Sequence, residues 1–74
     1  MIVTVKPVGP VAGRMNRIGK VEVDDGTDLL QLKTELGIPR NYPVLFTVNG
    51  LQVSQDTVLS PGDQVMIINI FAGG

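Results

Sequence analysis

The residues best placed to do chemistry are the last ones, Phe71-Ala72-Gly73-Gly74, because the chain offers little else that reacts. It holds no Cys, so disulfides, thiolate metal sites and a cysteine nucleophile are excluded. It holds no His either, which removes the commonest general base and the commonest metal ligand together. What remains is the terminal carboxylate. If that group has to be activated, it must thread into a partner's nucleotide site. Side chains on the last two residues would obstruct a narrow channel, and glycine also reaches backbone angles closed to other residues. A free carboxylate is a poor electrophile, and ATP-dependent adenylation turns it into an acyl-adenylate open to a sulfur or nitrogen nucleophile. At about 7% glycine usage a chain ends Gly-Gly by chance roughly once in two hundred. The pair alone is therefore weak, and its setting has to give it weight.

That setting is one small domain. Seventy-four residues leave no room for a second core, and a hydrophobic content of 43% suffices for one. A net charge of −1 gives no electrostatic case for nucleic acid or for an anionic membrane. No leader pattern precedes residues 2–5, and no apolar run approaches the ~20 residues of a membrane helix. The expectation is a cytoplasmic protein that is handled by enzymes and is not one itself.

Periodicity places the elements. Residues 2–6 alternate as a strand, with Val3 and Val5 on one face. Two prolines and two glycines in 7–17 predict a long hairpin loop with room for a helical turn. Residues 18–23 alternate again, with Val21 and Val23 inward. Thr27 is the expected cap of an amphipathic helix of about nine to ten residues carrying Leu29, Leu32 and Leu36 on one stripe, which Gly37 terminates and Pro39 keeps from restarting. A strand over 44–48 runs into Asn49-Gly50, the strongest short hairpin signal, and returns over 51–53. Ser60-Pro61-Gly62-Asp63 fits a type II turn before a last strand over 64–70. The order β-β-α-β-β-β predicts an α+β fold, a mixed sheet with one covering helix. Residues 1–70 form the domain and 71–74 the tail.

In this register Val65 and Ile67 join Val3, Val21, Phe46 and Val48 in the core. Met66, Ile68 and Ile70 then lie on the opposite face with Leu45, and Ile2 and Ile18 nearby. That face has no predicted helix over it, and Leu45, Met66, Ile68 and Ile70 are the expected docking patch for a partner. The competing readings are a one-residue slip of register, or the loop over 7–17 covering this face. The basic residues of the first hairpin (Lys6, Arg14, Arg17, Lys20) read as a solvated surface. Asp56 and Asp63 read as turn residues. Two positions of the acidic group Glu22, Asp24, Asp25 and Asp28 are explained as turn and helix-start residues, so no metal site is expected. Gly9, Gly13 and Gly19 lack phosphate-loop spacing, so no nucleotide site is expected.

Four stretches carry a resemblance: Asp25-Gly26-Thr27 before a Leu-rich helix, Val48-Asn49-Gly50, Leu59-Ser60-Pro61-Gly62-Asp63-Gln64-Val65, and Ala72-Gly73-Gly74. Together they resemble the MoaD/ThiS sulfur-carrier family of β-grasp, ubiquitin-like proteins, over essentially the whole chain. The resemblance implies that Gly74 is activated by a partner adenylating enzyme using ATP and Mg²⁺, with no cofactor bound to the carrier. The terminus then becomes a thiocarboxylate that delivers sulfur to an acceptor synthase, in molybdopterin or thiamine synthesis. Gly73 gives access to it. The ending Ile70-Phe71-Ala72-Gly73-Gly74 looks closer to thiamine-type carriers, whereas the long loop over 7–17 exceeds what is typical of them, so the pathway stays open. Two other readings stand beside it, a protein modifier joined through Gly74 and a plain interaction module.

Overall fold

In the computed structural model, residues 1–70 are described, and Phe71, Ala72, Gly73 and Gly74 lie outside them. The strands are β1 (Ile2–Val8), β2 (Gly19–Glu22), β3 (Val44–Val48), β4 (Leu51–Val53) and β5 (Gln64–Asn69). A 3₁₀ turn (Pro10–Arg14) follows β1, and helix α1 (Leu29–Glu35) follows β2. The sheet runs β2-β1-β5-β3-β4. β1 and β5 pair in parallel and the other neighbours are antiparallel. The element order is the one expected for a β-grasp, and the sheet is mixed.

One face of the sheet holds the core. Val3, Val5, Val21, Phe46, Val65 and Ile67 are buried there against Leu29, Leu32 and Leu36 of α1. Each such side chain contributes about 1.5–3 kcal/mol by leaving water. Val11 from the 3₁₀ turn is fully buried in the same cluster. The segment after β1 therefore packs on the helix side, where Asn16 donates its backbone N–H to Leu36 O and its side-chain amide to Glu35 O. The opposite face has no described element over it. The alternation expected of β5 is observed: Val65 and Ile67 are buried, and Met66 and Ile68 are half-exposed.

Several boundaries differ from expectation; β2, expected over 18–23, spans Gly19–Glu22. β1 continues through Pro7 to Val8. Thr4 N–H donates to Asp63 O, so the even-numbered residues of β1 direct their backbone groups toward β5 and the odd-numbered ones toward β2. β2 stops at Gly19 opposite Val5, so Pro7 forfeits no ladder bond.

The helix cap is Asp28, not Thr27. The Asp28 carboxylate accepts from Gln31 N–H at 2.8 Å, and the Gln31 side chain accepts from Asp28 N–H at 3.0 Å, a reciprocal capping box. Thr27 O accepts from Leu59 N–H, Leu29 N–H donates to Thr57 O, and Asp28 bridges Val58. These contacts hold 27–28 extended, and the helix is seven residues long. At its other end Gly37, at φ 82°, donates to Thr34 O while Ile38 donates to Lys33 O. This is a Schellman closure that only a left-handed residue permits. β5 ends at Asn69, and Ile70 adds one further backbone bond, its N–H donating to Pro43 O at 3.1 Å.

Candidate functional site

The sheet brings the docking-patch residues together. Leu45 on β3 lies directly opposite Ile68 on β5, and Val8 on β1 lies opposite Ile68 from the other side. The next row is Lys6, Met66, Thr47 and Gln52. Leu45, Val8 and Ile70 are each between 37% and 38% exposed, against 0% for Ile67 in the middle of β5. Ile2 and Ile18, at 51% and 57%, are exposed on the β1–β2 side of the sheet, with Thr4 and Lys20 between Ile2 and the patch. The register assumed for this face is the one observed, and the loop after β1 does not cover it. Val8 was not expected here. Pro7 looked like the end of the strand, and the alternation from Lys6 to Val8 across it was the available signal.

The tail residues Phe71, Ala72, Gly73 and Gly74 lie outside the described residues, but the point from which they depart is described. β5 sits between β1 and β3, so the chain reaches Ile70 from the centre of the sheet. Three groups hold that point. Ile70 N–H donates to Pro43 O, and Asn69 pairs with Val44. Tyr42 O–H donates to Asn69 Oδ1 at 2.7 Å. The Tyr42 ring has the Arg14 guanidinium 5.6 Å from its centroid, a cation–π distance. Gly9, at φ 91°, faces Asn69: a Cβ there would stand 3.1 Å from Asn69 Cβ.

Lys33 supports this group from beneath. It is only 4% exposed, on the buried side of α1, and its ammonium donates to Arg40 O at 2.9 Å and Tyr42 O at 2.6 Å. Burial lowers its pKa from the ordinary value. Neither Lys33 nor Tyr42 was singled out from sequence. Lys33 falls four residues after Leu29 and next to Leu32, at the rim of the apolar stripe, and a lysine at that position was the available signal.

Three of the acidic residues make structural contacts. Asp28 caps the helix, and Asp25 Oδ1 lies 3.9 Å from the Met1 ammonium. Asp63 accepts from Ser60 N–H and from the Asn49 side-chain amide. Asn49 in turn accepts from Gln64 N–H, which ties the β3–β4 turn to the start of β5.

A family model described as the ThiS family matches residues 11–74. In structure the protein is similar to SAMP1 from Haloferax volcanii over 100% of both chains, with a TM-score of 0.72 and 16% identity. It is also similar to Urm1 from Trypanosoma brucei over 99% of this chain and 95% of that one, with a TM-score of 0.67 and 21% identity. No curated protein matches the chain significantly. The structural likenesses establish the ubiquitin-like β-grasp fold. No described helix is long and apolar enough to cross a membrane. With the fold, the residues before the tail and the family match in agreement, the chain belongs to the ThiS family and has a ubiquitin-like β-grasp fold.

Proposed function

We propose that the protein is a sulfur carrier whose C-terminal Gly74 is adenylated by a partner enzyme, converted to a thiocarboxylate, and used as a sulfur donor in cofactor biosynthesis of the molybdopterin or thiamine type. The observation that carries the reading is the Gly73-Gly74 pair that follows, in sequence, shortly after the central strand β5 in a chain of the ThiS family. A carboxylate oxygen of Gly74 attacks the α-phosphorus of ATP, held with Mg²⁺ by the partner, and pyrophosphate leaves. Hydrosulfide then attacks the acyl carbon. A C–S bond forms, the C–O bond to AMP breaks, and the proton passes to solvent. The protein supplies no catalytic side chain to these steps; it is their substrate. The open face around Leu45, Met66, Ile68 and Ile70 docks the adenylating enzyme and then the sulfur-acceptor synthase, an apolar centre that excludes water around the threaded tail.

Intact mass spectrometry tests the reading. The protein is incubated with candidate adenylating enzymes, ATP, Mg²⁺ and sulfide. Exchange of one carboxylate oxygen for sulfur is the expected result. Adducts on other proteins would make the chain a modifier, and an unchanged mass with every adenylating enzyme tried would leave a plain interaction module.

A further inference from the structure

The tail follows Ile70, one residue beyond the end of β5, so whatever fixes Ile70 fixes where the reactive terminus begins. Two connected clamps meet there. The segment 39–43 between α1 and β3 is closed on itself by Tyr42 N–H donating to Pro39 O at 3.0 Å. Lys33 holds that segment to the helix through the carbonyls of Arg40 and Tyr42. From the far side of the segment, the Tyr42 hydroxyl and Pro43 carbonyl reach Asn69 and Ile70, and the Asn69 amide donates on to Ile70 O at 3.3 Å.

Packing alone does not call for this arrangement. A leucine or methionine at 33 would fill the same volume with no ammonium to desolvate, and burying a charge is costly unless its donors are satisfied. What an ammonium adds is direction, since it fixes two carbonyls at once. The phenol of Tyr42 likewise adds one directed bond to an otherwise apolar ring.

We propose that Lys33 and Tyr42 are positioning residues, which fix Ile70, the residue before the tail, relative to the docking face. This rests on the carrier reading above. A partner that docks on the open face must receive the carboxylate at a fixed place, and a tail root free to swing lowers the fraction of docked complexes in which it arrives there.

The test uses Tyr42→Phe, which removes one hydroxyl, and Lys33→Met, which removes the ammonium and keeps an unbranched apolar stem one atom shorter. The readouts are amide hydrogen exchange at Ile70 by NMR and steady-state adenylation. In Tyr42→Phe the Ile70 amide exchanges about threefold to tenfold faster, and kcat for adenylation falls by a similar factor with KM for the carrier unchanged. Lys33→Met moves both readouts further in the same directions. Unchanged exchange at Ile70 in Tyr42→Phe overturns the clamp. Exchange accelerated equally through β1 and β5 makes both residues merely structural and overturns it too. Faster exchange at Ile70 with unaltered kcat overturns the positioning role. If no adenylating enzyme activates the wild-type chain, it is the carrier reading that fails, and exchange at Ile70 alone decides the clamp.

Discussion

Tyr42 and Asn69, 27 positions apart, are joined at 2.7 Å by a phenol-to-amide hydrogen bond at the last turn of chain before the tail. Gly9 stands on the other side of Asn69. Its missing side chain leaves the space that Asn69 needs, and its φ of 91° is one that other residues adopt only under strain.

Gly9→Ala therefore strains the backbone and pushes on Asn69 together. The expected cost is about 1–3 kcal/mol of stability in urea denaturation. The Asn69 side-chain amide resonances shift at the same time. A variant as stable as the wild type, with those resonances in place, would contradict the packing described.

Adjacent residues of β5 separate folding from docking. Ile67 is fully buried, so Ile67→Ala costs about 2–5 kcal/mol. Ile68 lies half-exposed on the open face, so Ile68→Ala costs below about 1 kcal/mol while raising KM for the carrier in adenylation roughly tenfold. Denaturation and steady-state kinetics on the two variants check both halves.

The cap assignment has its own test. Asp28→Ala removes the acceptor of the Gln31 N–H and costs about 1 kcal/mol by urea denaturation. A loss close to zero would return the capping role to Thr27.

Lys33 gives a pH signature of defined sign. Burial lowers its folded pKa below 10.5, so between the folded value and 10.5 the unfolded chain binds more protons than the native one. Stability contributed by this group therefore rises with pH across that window. Compared with Lys33→Met, the wild type gains stability as pH approaches 10.5 from below, measured by denaturation at stepped pH. A difference that is flat or falls over that range would mean the ammonium is not desolvated.

Removing the tail tests the division between scaffold and reactive end. Deleting Gly74 is expected to abolish sulfur loading in the mass assay and to leave the thermal midpoint within about 2 °C, because a glycine has no side chain to contribute to packing. Sulfur carriage by the shortened chain would sink the assignment of Gly74.

Where a residue's own sterics decide, the sequence was sufficient. Asn49 and Gly50 both take positive φ in the β3–β4 turn, and Gly37 and Gly62 do so where a helix stop and a type II turn required it. Alternation in β5 separated Val65 and Ile67 from Met66 and Ile68, and the Leu29, Leu32, Leu36 stripe located the covering helix, because side-chain periods follow from strand and helix geometry alone. The open face containing Leu45 and Ile68 followed from the same alternation.

Tertiary contacts decided the rest. Thr27 and Asp28 are equally good caps locally, and the choice fell to Asp28 because backbone bonds to Thr57 and Leu59, some thirty residues away along the chain, keep 27–28 extended. Pro7 is a strand breaker by its missing N–H, yet it stays inside β1 because β2 ends before reaching it. The burial of Lys33, and its link through Tyr42 to Asn69, depends on the antiparallel β3–β5 pairing and a loop closure that no local pattern encodes. The chemistry proposed for the terminus was thus read from two glycines and from the absence of Cys and His. The place from which that terminus is presented came from groups distant in sequence, which satisfy one another's hydrogen bonds only once the sheet has formed.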